Sequence, residues 1–364
     1  MATAMSTPVG LLFWFVLLVA AAAEAAGEAV GPKVPAIYVF GDSTVDVGNN
    51  NYLPETRAKV DFRPYGIDLP HSRPTGRFSN GFNAIDFISS HLGFKRSPPP
   101  FLSLKHKSVR RILYGFQGVN FASGGSGILD STGDSISMST QIKNFNAHRS
   151  NMTARIGKGA AARLLSRSLF FISTGSNDLF AFSNKNNSPN VTEKAIQLIA
   201  DMASKYTEHI EALHGLGARK FGISDISLLG CCPSSRALHP MGECISELNE
   251  VAMRMNKATE ALLTVLSSRL PGFIYSFGRT FNLLSNIISN PGHLEVKSAC
   301  CGGGSFNGEE NCSPNSKLCG NRNGYLFWDM VHPTQATSKL AGSIFYNGPA
   351  HLVGPLNLKQ LVQG

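Results

Sequence analysis

The sequence predicts an α/β fold in which a parallel β-sheet is covered by helices on both faces. Three observations carry this. Apolar runs too short for helices alternate along the chain with longer amphipathic segments. The runs are continuous rather than alternating with polar residues, which suits strands buried on both sides. Three of them stop at glycine- and serine-rich turns, where open parallel sheets present ligand sites.

The elements follow in order. Residues 34–40 read as the first strand and end at Gly41-Asp42-Ser43. Residues 83–92 have helical spacing of apolar positions. Residues 118–122 are a second strand, running into Ser123-Gly124-Gly125-Ser126-Gly127. Residues 168–174 are a third, ending in Gly175-Ser176-Asn177-Asp178. A long helix covers 192–213, capped by Thr192 or the residue before it. Residues 220–224 form a fourth strand, 245–270 another long helix, and 272–276 a fifth strand. The last helix spans 333–345, with Pro333 at or near its first position, where a missing N–H costs nothing.

Residues 1–25 stand apart from the fold. An apolar block at 11–20 is short for a membrane span, and small residues with Ala23-Glu24-Ala25 follow. This is the pattern of a secretory signal peptide cut near Ala25 or Ala26, although its first residues carry no Lys or Arg. Residues 26–364 are expected to form a single domain, soluble and extracellular, without a further membrane span. The net charge is +9. Lys and Arg are scattered apart from the stretch 105–111, with no basic stripe interleaved with aromatics, so nucleic acid is not an expected partner. Weak association with an acidic cell-wall matrix is compatible with that charge.

The seven cysteines all lie in the C-terminal half and show no zinc-type spacing, so no metal site is expected. In an oxidising compartment they form disulfides and leave one thiol over. Cys232 is assigned as that thiol, since Cys231 and Cys232 cannot both serve Cys244. Asn151, Asn186, Asn190 and Asn311 head N-glycosylation sequons, with Pro189 directly after the Ser188 of the second.

Four short segments carry chemistry together, although each alone is an ordinary turn or cap. Ser43 supplies a hydroxyl, and Gly41 permits a tight bend that a following helix would complete as an anion site. The nucleophile signature G-x-S-x-G is absent, because Val45 occupies its second glycine position. The turn at Ser123-Gly124-Gly125 can offer a backbone N–H, assigned to Gly124, and Asn177 a side-chain amide. Asp329 precedes His332 by three residues, and Pro333 follows; no other of the ten histidines has this setting. A serine hydroxyl becomes a competent nucleophile when an imidazole takes its proton and a carboxylate fixes the imidazole tautomer.

These segments resemble a known family. Phe40-Gly41-Asp42-Ser43, with Asp46, Gly48, Asn49 and Asn50, looks like the first block of plant GDSL esterase/lipases of the SGNH hydrolase superfamily. The stretch from Val119 to Gly125 resembles the second block and Gly175-Ser176-Asn177-Asp178 the third. Phe327-Trp328-Asp329, with His332-Pro333-Thr334, resembles the fifth. Leu229-Gly230-Cys231 with Pro233, and Cys300-Cys301-Gly302 with Gly304, Asn307 and Gly308, match the plant branch. The likeness runs from about Pro35 to Gly348. It departs at Thr44, where the family has Leu, and at Cys232, where it usually has no cysteine.

The resemblance implies a three-layer α/β/α sandwich of about five parallel strands, flavodoxin-like. It implies Ser43 as nucleophile, His332 as general base and acid, and Asp329 as its orienting group. The oxyanion hole would comprise the Ser43 N–H, the Gly124 N–H and the Asn177 side chain. Asp42, Asp46 and Asn49 would order loops. Cys231 would pair with Cys244 and the later four cysteines among themselves. No metal or organic cofactor is implied. The expected activity is hydrolysis of acyl esters, of lipids or a lipid-derived surface polymer, through an acyl-serine. Transfer of the acyl group to another alcohol, deacetylation of a polysaccharide, and a non-catalytic wall-binding role are the alternatives. Tyr52, Phe62, Tyr65, Phe180 and Phe182 are candidates for an acyl pocket, or for ordinary loop packing.

Overall fold

A computed structural model describes residues 31–56, 58–104, 117–185 and 191–364. The leader expected at residues 1–25, the stretch 105–111 and the sequons at Asn186 and Asn190 lie outside the described residues.

Strands β1 (Ile37–Gly41), β2 (Gly118–Asn120), β3 (Leu169–Ser173), β4 (Lys220–Ser224) and β5 (Ile274–Gly278) pair in parallel. Their order is β2-β1-β3-β4-β5, the flavodoxin-like winding, whose reversal lies between β1 and β3. Four further strands, β6 (Glu295–Ala299), β7 (Cys301–Gly302), β8 (Lys317–Leu318) and β9 (Tyr325–Phe327), form two small ribbons beside the main sheet, β6 with β9 and β7 with β8. Strand β10 (Val353–Pro355) adds to β5 antiparallel.

Alternate side chains of each strand enter opposite layers. Tyr38, Phe40, Phe170, Ile172, Phe221 and Ile223 point to one face. They pack on α2 (Met138–Ile156), α3 (Lys158–Arg167), α5 (Val191–Gly215) and α7 (Ser246–Arg269), which follow α1 (Ala84–His91) and interleave with α4 (Ser176–Lys185) and the short α6 (Pro233–Arg236). Ile37, Val39, Leu169 and Phe171 point to the other face. There they meet α1 and, beyond α8 (Thr280–Ser289), α9 (Gln335–Asn347) and α10 (Leu358–Gln363). The fold is thus a three-layer α/β/α sandwich. Burial of a phenylalanine such as Phe40, Phe170 or Phe221 contributes about 1.5–3 kcal/mol.

The predicted strands are all present, with shifts that have local causes. Strand β5 starts two residues later than predicted, because Gly272 adopts φ +71 in a turn and cannot begin a strand. The final helix starts at Gln335, and Thr334 is its N-cap, accepting from the Thr337 N–H. Pro333 therefore precedes the helix instead of opening it. Helices α2, α3, α4, α6, α8 and α10 and strands β6 to β10 were not anticipated. The Gly354-Pro355 pair of β10 reads as a breaker, yet an edge strand tolerates proline.

The disulfides are Cys231–Cys244, Cys300–Cys319 and Cys301–Cys312. Cys232 is free and buried, and burial pushes its thiol up to about 12. In the folded protein Cys232 is accordingly expected to resist iodoacetamide at pH 8 and to react once denaturant is added. Labelling at comparable rates in both states would show that this packing opens readily.

Candidate active site

The site forms where the sheet order reverses. Strands β1 and β3 are neighbours; the turn after β1 carries Ser43, and the first turn of α4, just after β3, carries Asn177. Gly41 ends β1 at φ +128 so close to β3 that a Cβ would lie 1.8 Å from the Ser173 carbonyl oxygen. No helix follows Ser43, contrary to expectation. The chain instead makes a turn closed by the Val45 and Asp46 N–H groups on the Asp42 carbonyl, at 3.3 and 3.0 Å. Asp42 further accepts from the Thr44 N–H at 2.9 Å and its hydroxyl at 2.6 Å. Asp46 accepts from the N–H groups of Gly48 at 2.7 Å and Asn49 at 2.8 Å. Burial pushes both carboxyls up to about 6 against these donors, which pull the other way. Asn49 ties the turn to β2 through the Asn120 and Ala122 carbonyls. All three act within the loops.

His332 comes from the opposite end of the chain. Its Nε2 lies 2.8 Å from Ser43 Oγ across 289 residues of sequence. Its Nδ1 lies 2.9 Å from each Asp329 carboxylate oxygen. Asp329 Oδ1 also accepts from the Val331 N–H at 3.0 Å and the His332 N–H at 2.8 Å, so the carboxylate shapes the turn as well as the imidazole. Burial alone would raise the Asp329 carboxyl, but the neighbouring imidazole and these hydrogen bonds hold it below the usual carboxylate range. The turn is anchored from outside: Cys300 and Cys301 donate N–H groups to the Phe327 and Trp328 carbonyls, and each is disulfide-bonded. Phe78 covers the imidazole, with ring centroids 5.0 Å apart.

Of the three groups expected as oxyanion donors, one is engaged elsewhere. The Asn177 amide donates one N–H to the Ser126 carbonyl at 2.9 Å and has a second. The Ser43 N–H has no acceptor among the described residues. The Gly124 N–H, however, is 3.1 Å from Asp46 Oδ2 and is engaged there. Gly125, the next residue, lines the same cavity as Ser43 and Asn177, and its N–H has no acceptor among the described residues.

That cavity has a volume of about 240 Å³. It passes from Ser43 and His332 between the sheet and α9, along mostly apolar side chains that include Phe171, Leu284, Leu326 and Phe345. Of the five aromatics considered for an acyl pocket, Phe180 lines it. Tyr52 is exposed, and Phe62 packs edge-on against Tyr65. Tyr65 is buried and donates its hydroxyl to Asp329 Oδ2 at 2.7 Å. Burial and the adjacent Asp329 raise the Tyr65 phenol, so it stays a protonated donor. Among the described residues no group of three His, Cys, Asp or Glu side chains is placed to hold a metal ion.

The family model for GDSL-like lipase/acylhydrolase matches residues 37–345. The chain belongs to this family. Curated GDSL esterase/lipases of Arabidopsis thaliana are similar over nearly their whole length. One is 40% identical over 91% of this chain and 90% of its own. A second is 38% identical over 90% and 89%, and a third 37% over 91% and 92%. Among solved structures, an acetyl xylan esterase from Geobacillus stearothermophilus covers 85% of this chain and 92% of its own at 12% identity, with a TM-score of 0.32. A gut microbial diltiazem-metabolizing enzyme covers 88% and 49% at 12% identity, with a TM-score of 0.41. As a GDSL esterase/lipase with these relatives, the chain is a carboxylic-ester hydrolase.

Tyr65, considered above only for an acyl pocket or loop packing, meets Asp329 through tertiary structure alone. Tyr65→Phe removes a hydrogen bond to a charged group, worth about 1.5–3 kcal/mol. A fall of about tenfold in kcat/KM is expected, because the Asp329 carboxylate loses a donor that helps hold it against Nδ1 of His332. An unchanged rate would leave Tyr65 a packing residue only.

Proposed function

We propose that this GDSL hydrolase is a secreted serine esterase that cleaves acyl esters of lipids or lipid-derived polymers through an acyl-serine. The observation that carries it is the unbroken chain Ser43 Oγ–His332 Nε2, His332 Nδ1–Asp329, opening into an apolar cavity. Ser43 Oγ attacks the ester carbonyl carbon while His332 Nε2 takes its proton. Asp329 accepts from Nδ1–H and stabilises the imidazolium. The carbonyl oxygen gains charge and is met by the Ser43 N–H, the second Asn177 N–H and the Gly125 N–H, which replaces Gly124 in this reading. Collapse expels the alcohol, protonated by His332. Water, deprotonated by His332, then attacks the acyl-serine, and the acid leaves as Ser43 recovers its proton.

Three disulfides and the exposed sequons Asn151 and Asn311 support an extracellular location. Among the described residues no helix is long and apolar enough to cross a membrane. The cavity favours an acyl chain over acetyl alone: at about 30 Å³ per water-sized group it holds about eight. The test is a p-nitrophenyl ester series from acetyl to palmitoyl. A Ser43-dependent optimum at medium chain length is expected. An optimum at acetyl would point to a polysaccharide deacetylase, and product formation only with an added alcohol to an acyltransferase.

A further inference from the structure

One wall of the cavity differs from the rest. Where β4 and β5 end, the apolar lining gives way to Ser224, Asp225, Ser227 and Thr280. Gly41, Ser173 and Ser224 are level in register across β1, β3 and β4. Two strand spacings therefore separate the turn bearing Ser43 from that bearing Asp225, about 10 Å along the sheet edge.

A carboxylate in such a wall is costly unless its oxygens are satisfied. One oxygen of Asp225 is well served. Its Oδ1 accepts from the Thr280 hydroxyl at 2.5 Å and the Phe281 N–H at 3.2 Å, at the start of α8. Its Oδ2 has only long contacts, to Asn256 Nδ2 at 3.3 Å and the Phe281 N–H at 3.4 Å. The Ser227 hydroxyl beside it has no hydrogen bond among the described residues. Support for helix α8 accounts for Oδ1 and leaves Oδ2 with acceptor capacity on a residue that lines the cavity. Burial pushes the carboxyl up to about 7, against the Thr280 and Phe281 donors and the Arg279 charge, which pull the other way.

We propose that Asp225, with Ser227, is a specificity subsite for a hydroxyl carried on the acyl chain. An extended chain advances about 1.1 Å per bond, taking a strand's rise of about 3.3 Å per three-bond residue. The hydroxyl would then sit about nine bonds from the scissile carbonyl. The preferred substrates are esters of medium-chain hydroxy acids rather than of plain fatty acids. This rests on the esterase reading above.

The test compares kcat/KM of the purified protein on p-nitrophenyl decanoate and on its ω-hydroxy counterpart. A preference of at least about tenfold for the hydroxylated ester is expected, since a polar pocket rejects an analogue that leaves it unpaired. Asp225→Leu should reverse the preference. Asp225→Asn, which keeps acceptors for α8, and Ser227→Ala should each reduce it at least about threefold. A wild-type ratio of one or less, with Ser43-dependent turnover of both esters, overturns the subsite and leaves the esterase standing; this holds even if Asp225→Leu fails to fold. A preference untouched by Asp225→Asn and Ser227→Ala also overturns it. Absence of Ser43-dependent turnover on either ester overturns the esterase reading and the subsite with it.

Discussion

Replacing Ser43 by Ala lowers kcat on a p-nitrophenyl ester by about 10⁴–10⁶-fold, while thermal unfolding stays at the wild-type midpoint. The substitution removes only Oγ and its 2.8 Å contact with His332. The turn that holds residue 43 is built by Asp42 and by backbone groups of Val45 and Asp46, none of which depends on the serine side chain. What survives is the acceleration due to positioning and the oxyanion donors, typically 10³–10⁴ over water. Because nucleophile and base act as a unit, His332→Ala loses nearly as much, and the double variant little more. Loss of less than tenfold in Ser43→Ala would remove this serine from the mechanism.

Asp329→Asn is the second large effect, about 10⁴-fold in kcat. Both carboxylate oxygens face Nδ1 of His332, and the hydrogen on that nitrogen leaves Nε2 free to take the serine proton. An amide can present its NH₂ there instead, which favours the wrong tautomer and offers no charge to the imidazolium. The substitution also acts on stability, with a sign set by linkage. The folded carboxyl of Asp329 lies below its ordinary range. Its stabilising contribution is therefore present above the unfolded pKa and lost as pH falls through the lowered folded value. Asp329→Asn should melt below the wild type at pH 7, with the gap narrowing towards acid. A variant with wild-type kcat would show that Asp329 only shapes the turn.

The strands and the four principal residues of the candidate site were legible because their signals are local. Ser43, Asn177 and the His332 turn each lie within a few residues of an apolar run or a helix start, and three residues of spacing suffice to pair Asp329 with His332. Tyr65 had no such signal: it meets Asp329 across 264 residues, and in sequence it is one loop aromatic among several. Phe78 over the imidazole is hidden for the same reason. Gly124 and Gly125 are chemically identical in a sequence. Only the fold shows that Asp46 takes one N–H and leaves the other. Helix α2 did carry a readable period, with Met138, Ile142, Phe145 and Met152 buried on one side, but its many polar residues masked it.

The distance along the chain between Ser43 and His332 also sets when the protein becomes active. Ribosomes add about 5–20 residues per second, so about 15–60 s pass between the two residues. During that interval the other four parallel strands, β2 to β5, emerge, while the base, its carboxylate and the α9 wall of the cavity do not yet exist. A growing chain, or one cut short before His332, would carry an inert serine. On the serine-esterase reading, esterolysis waits until residues 329–332 have been made, so the order of the elements delays the activity until all five strands have been synthesised.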